Sequence, residues 1–463
     1  MTGTLPETLE RRRIRVRGVV QGVGFRPFVH RLATTHALAG FVLNDGEGVV
    51  VEVEGEARAA DDFVAALALE APPLARVDSV TAERVAARGE SGFAVEKSRP
   101  TGRSALIPPD VATCDACLAE LFDPADRRYR YPFLNCTDCG PRFTIVRGVP
   151  YDRPLTTMAG FPLCGDCRRE YEDPSNRRFH AEPIACPACG PRLSVPLEDA
   201  VAVLLAGGVV AVKGLGGYHL ACDAGDETAV ARLRARKGRE EKPLAVMTTE
   251  PEHFATLSEA ELGLLSSAAR PIVLARRIPG APVAESVAPG SPWLGLMLPY
   301  TPLHHLLCAD ADRPLVMTSG NLTDEPIAFD DEDARRRLGR VADLFLEHDR
   351  PIHRRCEDSV VRAQFPVRRS RGYAPSAVAL PVALRAPLVA AGAELKSTFC
   401  VGRGSEAFLS AHLGDLTSVD AYAAFRTDLE LYLAMLDIEP SAIACDLHPD
   451  YLSTRWAREQ GLP

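Results

Sequence analysis

The period of the apolar positions changes along this chain, and the changes divide it. Ile14 and Val16, then Val49, Val51 and Val53, alternate with polar neighbours as half-buried strands do. Phe28 and Leu32, then Phe63, Val64 and Leu67, keep helical spacing. Residues 10–98 therefore predict strand, helix, two strands, helix, two strands, the order of a ferredoxin-like α/β sandwich. From 198 to 384 buried strands alternate with helices, beginning at VVAVKGLGGYHLACDA and ETAVARLRARKGREEKPLAVM. A further unit over 386–463 starts with an apolar strand, a glycine turn and a second strand in APLVAAGAELKSTFCVGRG. It ends in IACDLHPDYLSTRWAREQGLP, a strand and a short helix, and its 78 residues are few for an α/β domain.

Between these units, over 110–192, apolar periodicity gives way to cysteines. Cys114, Cys117, Cys136 and Cys139 recur fifty residues later as Cys164, Cys167, Cys186 and Cys189, each last cysteine opening the same CGPR. Glu120, Asp123, Pro124 and Arg128 recur as Glu170, Asp173, Pro174 and Arg178. Each copy is C-x2-C, eighteen residues, C-x2-C, which supplies the four thiolates of a tetrahedral structural zinc. Two zinc ions are expected. Spacing alone leaves open whether each repeat closes its own site or the halves exchange.

Composition narrows the classes. A chain of 463 residues, 46% hydrophobic and 25% charged, is expected to fold into about three globular domains. Its net charge of −9 argues against gripping nucleic acid or an anionic membrane. The cysteine unit carries 11 arginines and no lysine against 12 acidic residues, and two four-thiolate zinc sites make it more acidic still. It predicts a rigid structural or docking module. The opening MTGTLPETLERRR lacks an apolar core, and the longest apolar run, Ala200–Val212, has 13 residues where a membrane span needs about 20. A cytoplasmic protein is expected, in which 13 cysteines serve chiefly as ligands or packing residues. Cys222, Cys308, Cys356 and Cys400 lack ligand spacing and are expected to pack.

Two loops carry candidate chemistry. In VVQGVGFRPFVHRL, Gly22 and Gly24 allow the backbone to wrap an anion, Pro27 suits a first helical position, and Arg26 supplies a forked counter-charge. His30 is read as structural. Downstream, Arg232, Arg234, Arg236, Lys237, Arg239 and Lys242 fall within eleven residues. Arg232 and Arg234 are read as a solvated helix face, and the later members can converge on phosphates. PLVMTSGNLTDEPI sets Thr318, Ser319 and Asn321 in a turn after an apolar strand, a common place for ligand contacts. His304, His305 and His353 could contact substrate, but lone histidines are more often structural and are read so.

RVRGVVQGVGFRPFVHRLA and GFVLNDGEGVVVEVEG resemble the two signatures of acylphosphatases. The resemblance implies that Arg26 binds the phosphoryl group and Asn44 orients the attacking water. KGLGGYHLACDA, RKGREEKPLA, LPYTPLHHLL, MTSGN and CEDSVVR resemble, in order, the YrdC/Sua-type domains that make carbamoyl-adenylates from ATP. That implies Lys237, Arg239 and Lys242 on the triphosphate, with Mg²⁺, and Ser319 and Asn321 completing the site. Near Lys213 the chain lacks the Pro-Thr pair of threonine-using members, which implies a different acyl substrate.

The order of all four units resembles the HypF family, the carbamoyltransferases of [NiFe]-hydrogenase maturation. CDACLAELFDPADRRYRYPFLNCTDCGPRFTI, GAELKSTFC and CDLHPDYLST carry it most specifically. The resemblance implies a multidomain α/β protein: acylphosphatase sandwich, tandem four-cysteine zinc module, YrdC-like domain and the incomplete beginning of an actin/sugar-kinase-like transferase domain. It implies carbamoyl phosphate and ATP as substrates and a HypE-type partner whose C-terminal cysteine accepts the carbamoyl group. The family's histidine-rich metal motif would begin after the present end; Asp446 and His448 resemble its lead-in and are not read as ligands. Two other readings stay open: a threonylcarbamoyl-adenylate synthase of tRNA modification, and a zinc-based binding module with degenerate catalytic sites.

Overall fold

The computed structural model describes residues 9–99, 106–323, 325–363 and 365–463; the opening residues 1–8 lie outside them. Residues 9–95 form β1 (Leu9–Val19), α1 (Phe25–Thr35), β2 (Ala39–Asp45), β3 (Gly48–Glu56), α2 (Ala57–Leu69), β4 (Arg76–Val85) and β5 (Phe93–Val95). The sheet order is β4-β1-β3-β2-β5, antiparallel except that β2 and β5 run parallel. Ile14, Val16, Val49, Val51 and Val53 are fully buried, so the alternation read in the sequence is the core face of the sandwich. Helix α1 begins at Phe25, capped by Gly24 at φ 73°, so Pro27 is its third residue rather than its first. Proline is harmless there because the first-turn amides have no partner inside the helix.

Within the cysteine unit, α3 (Asp115–Phe122) follows Cys114 and α4 (Gly165–Glu172) follows Cys164, each placing the next cysteine of its pair in the first turn. The positive end of each short helix thus faces its thiolates. The duplication extends to the backbone: Arg130 and His180, fifty residues apart, both take positive φ, at 56° and 53°.

The apolar run at 200–212 is divided by its glycine pair. Helix α5 (Leu197–Leu205) ends before Gly207 at φ 74°, and strand β6 (Val210–Lys213) follows. With β7 (Tyr218–Asp223) it joins a ten-stranded mixed sheet among the described residues, whose neighbours include Leu315–Ser319 against β7 and Leu344–Leu346 against β6. Helix α6 (Glu227–Lys237) starts on an Asp226 side-chain cap and stops at Gly238, at φ 68°, which frees the basic loop that follows. The last unit is a five-stranded sheet, with Leu388–Ala391 antiparallel to Phe399–Arg403 and parallel to Ala442–Ala444, backed by the helix Val419–Leu436.

The cysteine unit is wedged among all three sheets. The first CGPR arginine, Arg142, is 1% exposed; it donates to Gly22 O (2.6 Å) in the loop before α1 and to the carbonyls of Cys136, Thr137, Cys139 and Pro141. Phe143 beside it packs edge-on against Tyr432 of the last unit, with ring centroids 5.8 Å apart. The second CGPR arginine, Arg192, uses its backbone instead, donating from N to Asp349 Oδ1 at 2.7 Å. Arg130 pairs with Asp310, and Phe133 packs edge-on against His348 at 5.0 Å. Arg142→Ala would leave these buried carbonyls without a donor and is expected to lower the unfolding free energy by about 3 kcal/mol. The equivalent Arg192→Ala is expected to stay within about 0.5 kcal/mol, and paired denaturant titrations check the contrast.

Candidate functional site

Three constellations combine burial with unusual polar chemistry. The first is the pair of cysteine clusters. Cys114, Cys117, Cys136 and Cys139 form one and Cys164, Cys167, Cys186 and Cys189 the other, all ligand atoms of each lying within 4.8 Å of one another. Sulfur–sulfur separations of 3.5–3.9 Å in the first cluster and 3.7 Å in the second match the ~3.8 Å edge of a thiolate tetrahedron around zinc. The donor sets fit two zinc ions, and each repeat closes its own site.

The exchange between repeats is electrostatic. Arg127 and Arg128 of the first repeat reach Cys167 Sγ at 3.2 and 3.4 Å and pair with Glu170. Arg177 of the second reaches Cys117 Sγ at 3.2 Å, and it and Arg178 pair with Glu120. Arg128 Nε donates to Ala185 O, and Arg178 Nε donates to Asn135 O, its equivalent fifty residues earlier. Burial pushes the Glu170 carboxyl up, but Arg128 and Arg127 outweigh it and hold the group down at about 2.

The second constellation is the glycine loop before α1. A small cavity is lined by Gln21, Gly22, Arg26 and Asn44 from the sandwich and by Tyr151 and Glu182 from the cysteine unit. Arg26 is 7% exposed; its Nη2 donates to Glu182 Oε1 at 2.7 Å, and Nη1 lies 3.2 Å from Asp152. Burial works against the guanidinium's charge, and the two carboxylates outweigh it. Asn44, near the end of β2, is 1% exposed, and neither atom of its amide has a partner among the described residues. Among those residues its buried amide has unused hydrogen-bonding capacity in the lining that also holds Arg26. Gln21 fixes the loop, donating to Asp45 O and Gly48 O at 2.7 Å each while accepting from Tyr151 N. A side chain at Gly22 would meet Pro108 and Tyr151 at 3.2 Å, so the glycine permits both the turn and the close approach of the covering unit.

The third constellation joins α6 to the turn after Leu315–Ser319. Lys237, 3% exposed, donates from Nζ to Ser319 O (2.6 Å), to Asn321 Oδ1 (2.7 Å) and to Asn321 O. Ser319 Oγ donates to Asn321 Oδ1 at 2.7 Å. Arg239 caps the carbonyls of Lys242 and Pro243 and reaches Thr318 Oγ1 at 3.5 Å. Burial, with Arg239 as neighbour, pushes Lys237 down to about 7, and burial takes Arg239 to about 10. Lys242 is lowered by burial and then by Arg239 and Arg368. A cluster of cations held below its ordinary basicity lacks an anion.

The structure corrects one reading and adds residues to others. Arg234 is not part of a solvated face: it is 8% exposed, and its guanidinium ties together the carbonyls of Arg239, Glu240, Lys242 and Ser286, shaping the basic loop from beneath. Arg232 donates to Gly207 O. His30 packs against Phe93 and Phe179, and His304 packs edge-on against Tyr300 at 4.5 Å. Lys213 pairs with Asp331 at 2.6 Å and borders a separate small cavity with His348 and Arg350. Asp446 Oδ1 accepts only a turn bond from His448 N among the described residues. Glu182, and Glu357, Arg368 and His412 around the lysine cluster, were not singled out in the sequence, because their partners are distant along the chain.

Two zinc ions per chain are expected by metal analysis of the full chain. Cys139→Ser should hold no more than one, because three thiolates no longer complete a closed structural site. A chain with two intact clusters and fewer than two zinc ions would contradict the geometry.

The family described as Acylphosphatase matches residues 12–95, HypF finger matches 113–146 and 163–195, Telomere recombination (the Sua5/YciO/YrdC type) matches 202–371, and HypF Kae1-like domain matches 383–463. The carbamoyltransferase HypF of Rhizobium leguminosarum is 50% identical over 100% of this chain and 63% of its own length. That of Synechocystis sp. is 47% identical over 97% of this chain and 61% of its own length. A crystal structure of full-length HypF in the phosphate- and nucleotide-bound form superposes with a TM-score of 0.96 at 42% identity, covering 100% of this chain and 63% of the other. The chain spans about three fifths of the relatives it matches. No helix among the described residues is long and apolar enough to cross a membrane. With its four units matched in order and its whole length aligned, this chain belongs to the HypF family.

Proposed function

We propose that the chain performs the opening steps of carbamoyl transfer in [NiFe]-hydrogenase maturation, through units at 10–98, 110–192, 198–384 and 386–463. Carbamoyl phosphate enters the cavity before α1. Arg26 and the loop amides take the phosphoryl oxygens, and Asn44 positions the water that attacks phosphorus. Phosphate and carbamate leave. At the lysine cluster, carbamate oxygen attacks the α-phosphorus of Mg-ATP, forming carbamoyl-adenylate and expelling pyrophosphate. Lys237, Arg239 and Lys242 hold the triphosphate charge, and Ser319 and Asn321 complete the pocket. The acyl group is destined for the C-terminal cysteine thiol of a HypE-type partner, through the transferase fold that residues 386–463 begin. The cysteine module holds the two chemical sites in register, and the site of action is the cytoplasm.

One observation supports this most directly: an enclosed arginine–asparagine cavity and an anion-poor lysine cluster occur together in a chain whose whole length aligns with carbamoyltransferases. The absence of a Pro-Thr pair at Lys213 favours carbamate over threonine as the acyl substrate.

Two measurements test it. Arg26→Ala should slow carbamoyl phosphate hydrolysis on the order of a hundredfold or more, the usual loss for a removed transition-state donor. Near-normal hydrolysis would make the loop a mere turn. With Mg-ATP and carbamoyl phosphate the chain should exchange labelled pyrophosphate into ATP. Lys242→Ala or Ser319→Ala should weaken that exchange, and free threonine should not replace carbamoyl phosphate. Exchange that requires threonine would instead favour the tRNA-modification reading.

A further inference from the structure

Glu182 is the one carboxylate that the cysteine unit contributes to the lining of the arginine–asparagine cavity. It is 1% exposed and sits 2.7 Å from Arg26 Nη2. Its position does not depend on Arg26. Arg153 N donates to Oε2 at 2.8 Å, Tyr171 OH lies 3.1 and 3.2 Å from its two oxygens, and Arg153 Nη1 holds the Glu182 carbonyl at 2.6 Å. Arg26 meanwhile has a second carboxylate in Asp152. A cradle for a phosphoryl dianion has no electrostatic use for a fixed, buried carboxylate on the one lining arginine, among the described residues, that backbone carbonyls do not occupy; that charge weakens binding of any phosphate ester. The other arginine of the cavity, Arg142, is engaged by five backbone carbonyls and offers no compensation. The arrangement makes sense if the bound substrate carries a hydrogen-bond donor next to its phosphoryl group.

We infer that Glu182 is a specificity-determining residue of this site: its carboxylate accepts a hydrogen bond from the N–H of the acyl group, selecting carbamoyl phosphate over acyl phosphates that lack a donor. The inference rests on the acyl-phosphate reading of the Arg26 cavity and adds the group that reads the acyl half. Arg26, Arg153 N and one bond from Tyr171 leave the carboxylate one acceptor position. A substrate N–H fills it, whereas an analogue sets a methyl group against a buried charge. Acetyl phosphate is the analogue of choice: a methyl group replaces the amino group and the phosphoryl half is unchanged. Because Glu182 belongs to the second cysteine repeat, the sandwich by itself lacks this selector.

The test measures kcat/KM for carbamoyl phosphate and for acetyl phosphate with the full chain, its Glu182→Ala variant and its Glu182→Asp variant. Zinc content and competitive inhibition by inorganic phosphate are read in each. Glu182→Ala should shift the ratio of the two kcat/KM values toward acetyl phosphate by about tenfold or more, the size expected for one lost hydrogen bond to a charged group. It should also bind inorganic phosphate more tightly. Glu182→Asp keeps the charge but withdraws it by one methylene, and should shift the ratio in the same direction. If either variant that retains two zinc ions loses both activities by the same factor, Glu182 only positions Arg26, and the inference fails while the acyl-phosphate reading stands. Hydrolysis of neither substrate by the unaltered chain overturns that reading and this inference together.

Discussion

Four thiolates around a divalent cation carry a net charge of −2, most of the eight cysteines here are buried, and the organisation of this chain follows from how that charge is met. Each cluster is approached by arginines of the other repeat: Arg127 and Arg128 at Cys167, Arg177 at Cys117. Neither repeat is electrostatically complete alone, which is a physical reason for a duplicated unit rather than a single finger. In a low-dielectric interior these contacts are far stronger than surface ion pairs, and removing one partner leaves an uncompensated charge behind. The two metal sites therefore act as one rigid body. That body reaches the sandwich through Arg142 and Glu182 and the ten-stranded sheet through Arg130, Phe133 and Arg192.

The rigidity matters most at the loop before α1. An exposed phosphate loop works with its backbone amides and one arginine in water. Here Tyr151 and Glu182 close over the loop, and Gly22 allows the approach because it has no Cβ to block Pro108 and Tyr151. The cover buries Arg26 and Asn44, and among the described residues the Asn44 amide has no partner. It also means that residues 9–95 hold only half of the cavity wall.

What the sequence disclosed depended on how local the signal was. The strands of the sandwich and the eight cysteines were legible, because alternation and fixed spacing record them directly. That Lys237 shares a site with Ser319 and Asn321 came from the family resemblance alone, since 84 residues separate Lys237 from Asn321. The metal pairing was not, since C-x2-C spacing is satisfied equally by either exchange. Arg234 was misread because a helix-face argument considers only the helix: its guanidinium is enclosed by carbonyls of the loop that follows and of Ser286. Glu182 lies 156 residues from Arg26, beyond any local pattern. A break in the duplication nevertheless marks it. Glu120 and Glu170 recur in register, but the position fifty residues before Glu182 is Pro132, so this carboxylate belongs to one copy only.

The lysine cluster follows the same principle as the arginine cavity and carries it to the last unit. Lys237 is satisfied by Asn321 and the Ser319 carbonyl, yet burial and Arg239 still hold it near 7, so its protonated form is short of negative charge. Glu357 offers one carboxylate, but Arg368 takes it at 2.6 Å. His412, from the segment joining Glu406–Leu409 to the helix Val419–Leu436, lies within the field of Glu357, Arg368 and Lys242 and is pushed down to about 4 by burial. The cluster is thus bounded on one side by the C-terminal unit, through His412. On the proposed reading, a triphosphate arriving there restores full charge to Lys237, and pyrophosphate leaving takes that compensation away again. On that same reading the acyl-adenylate forms where residues 386–463 approach the lysine cluster through His412, so the electrostatics proposed to favour its formation also set which unit it lies beside.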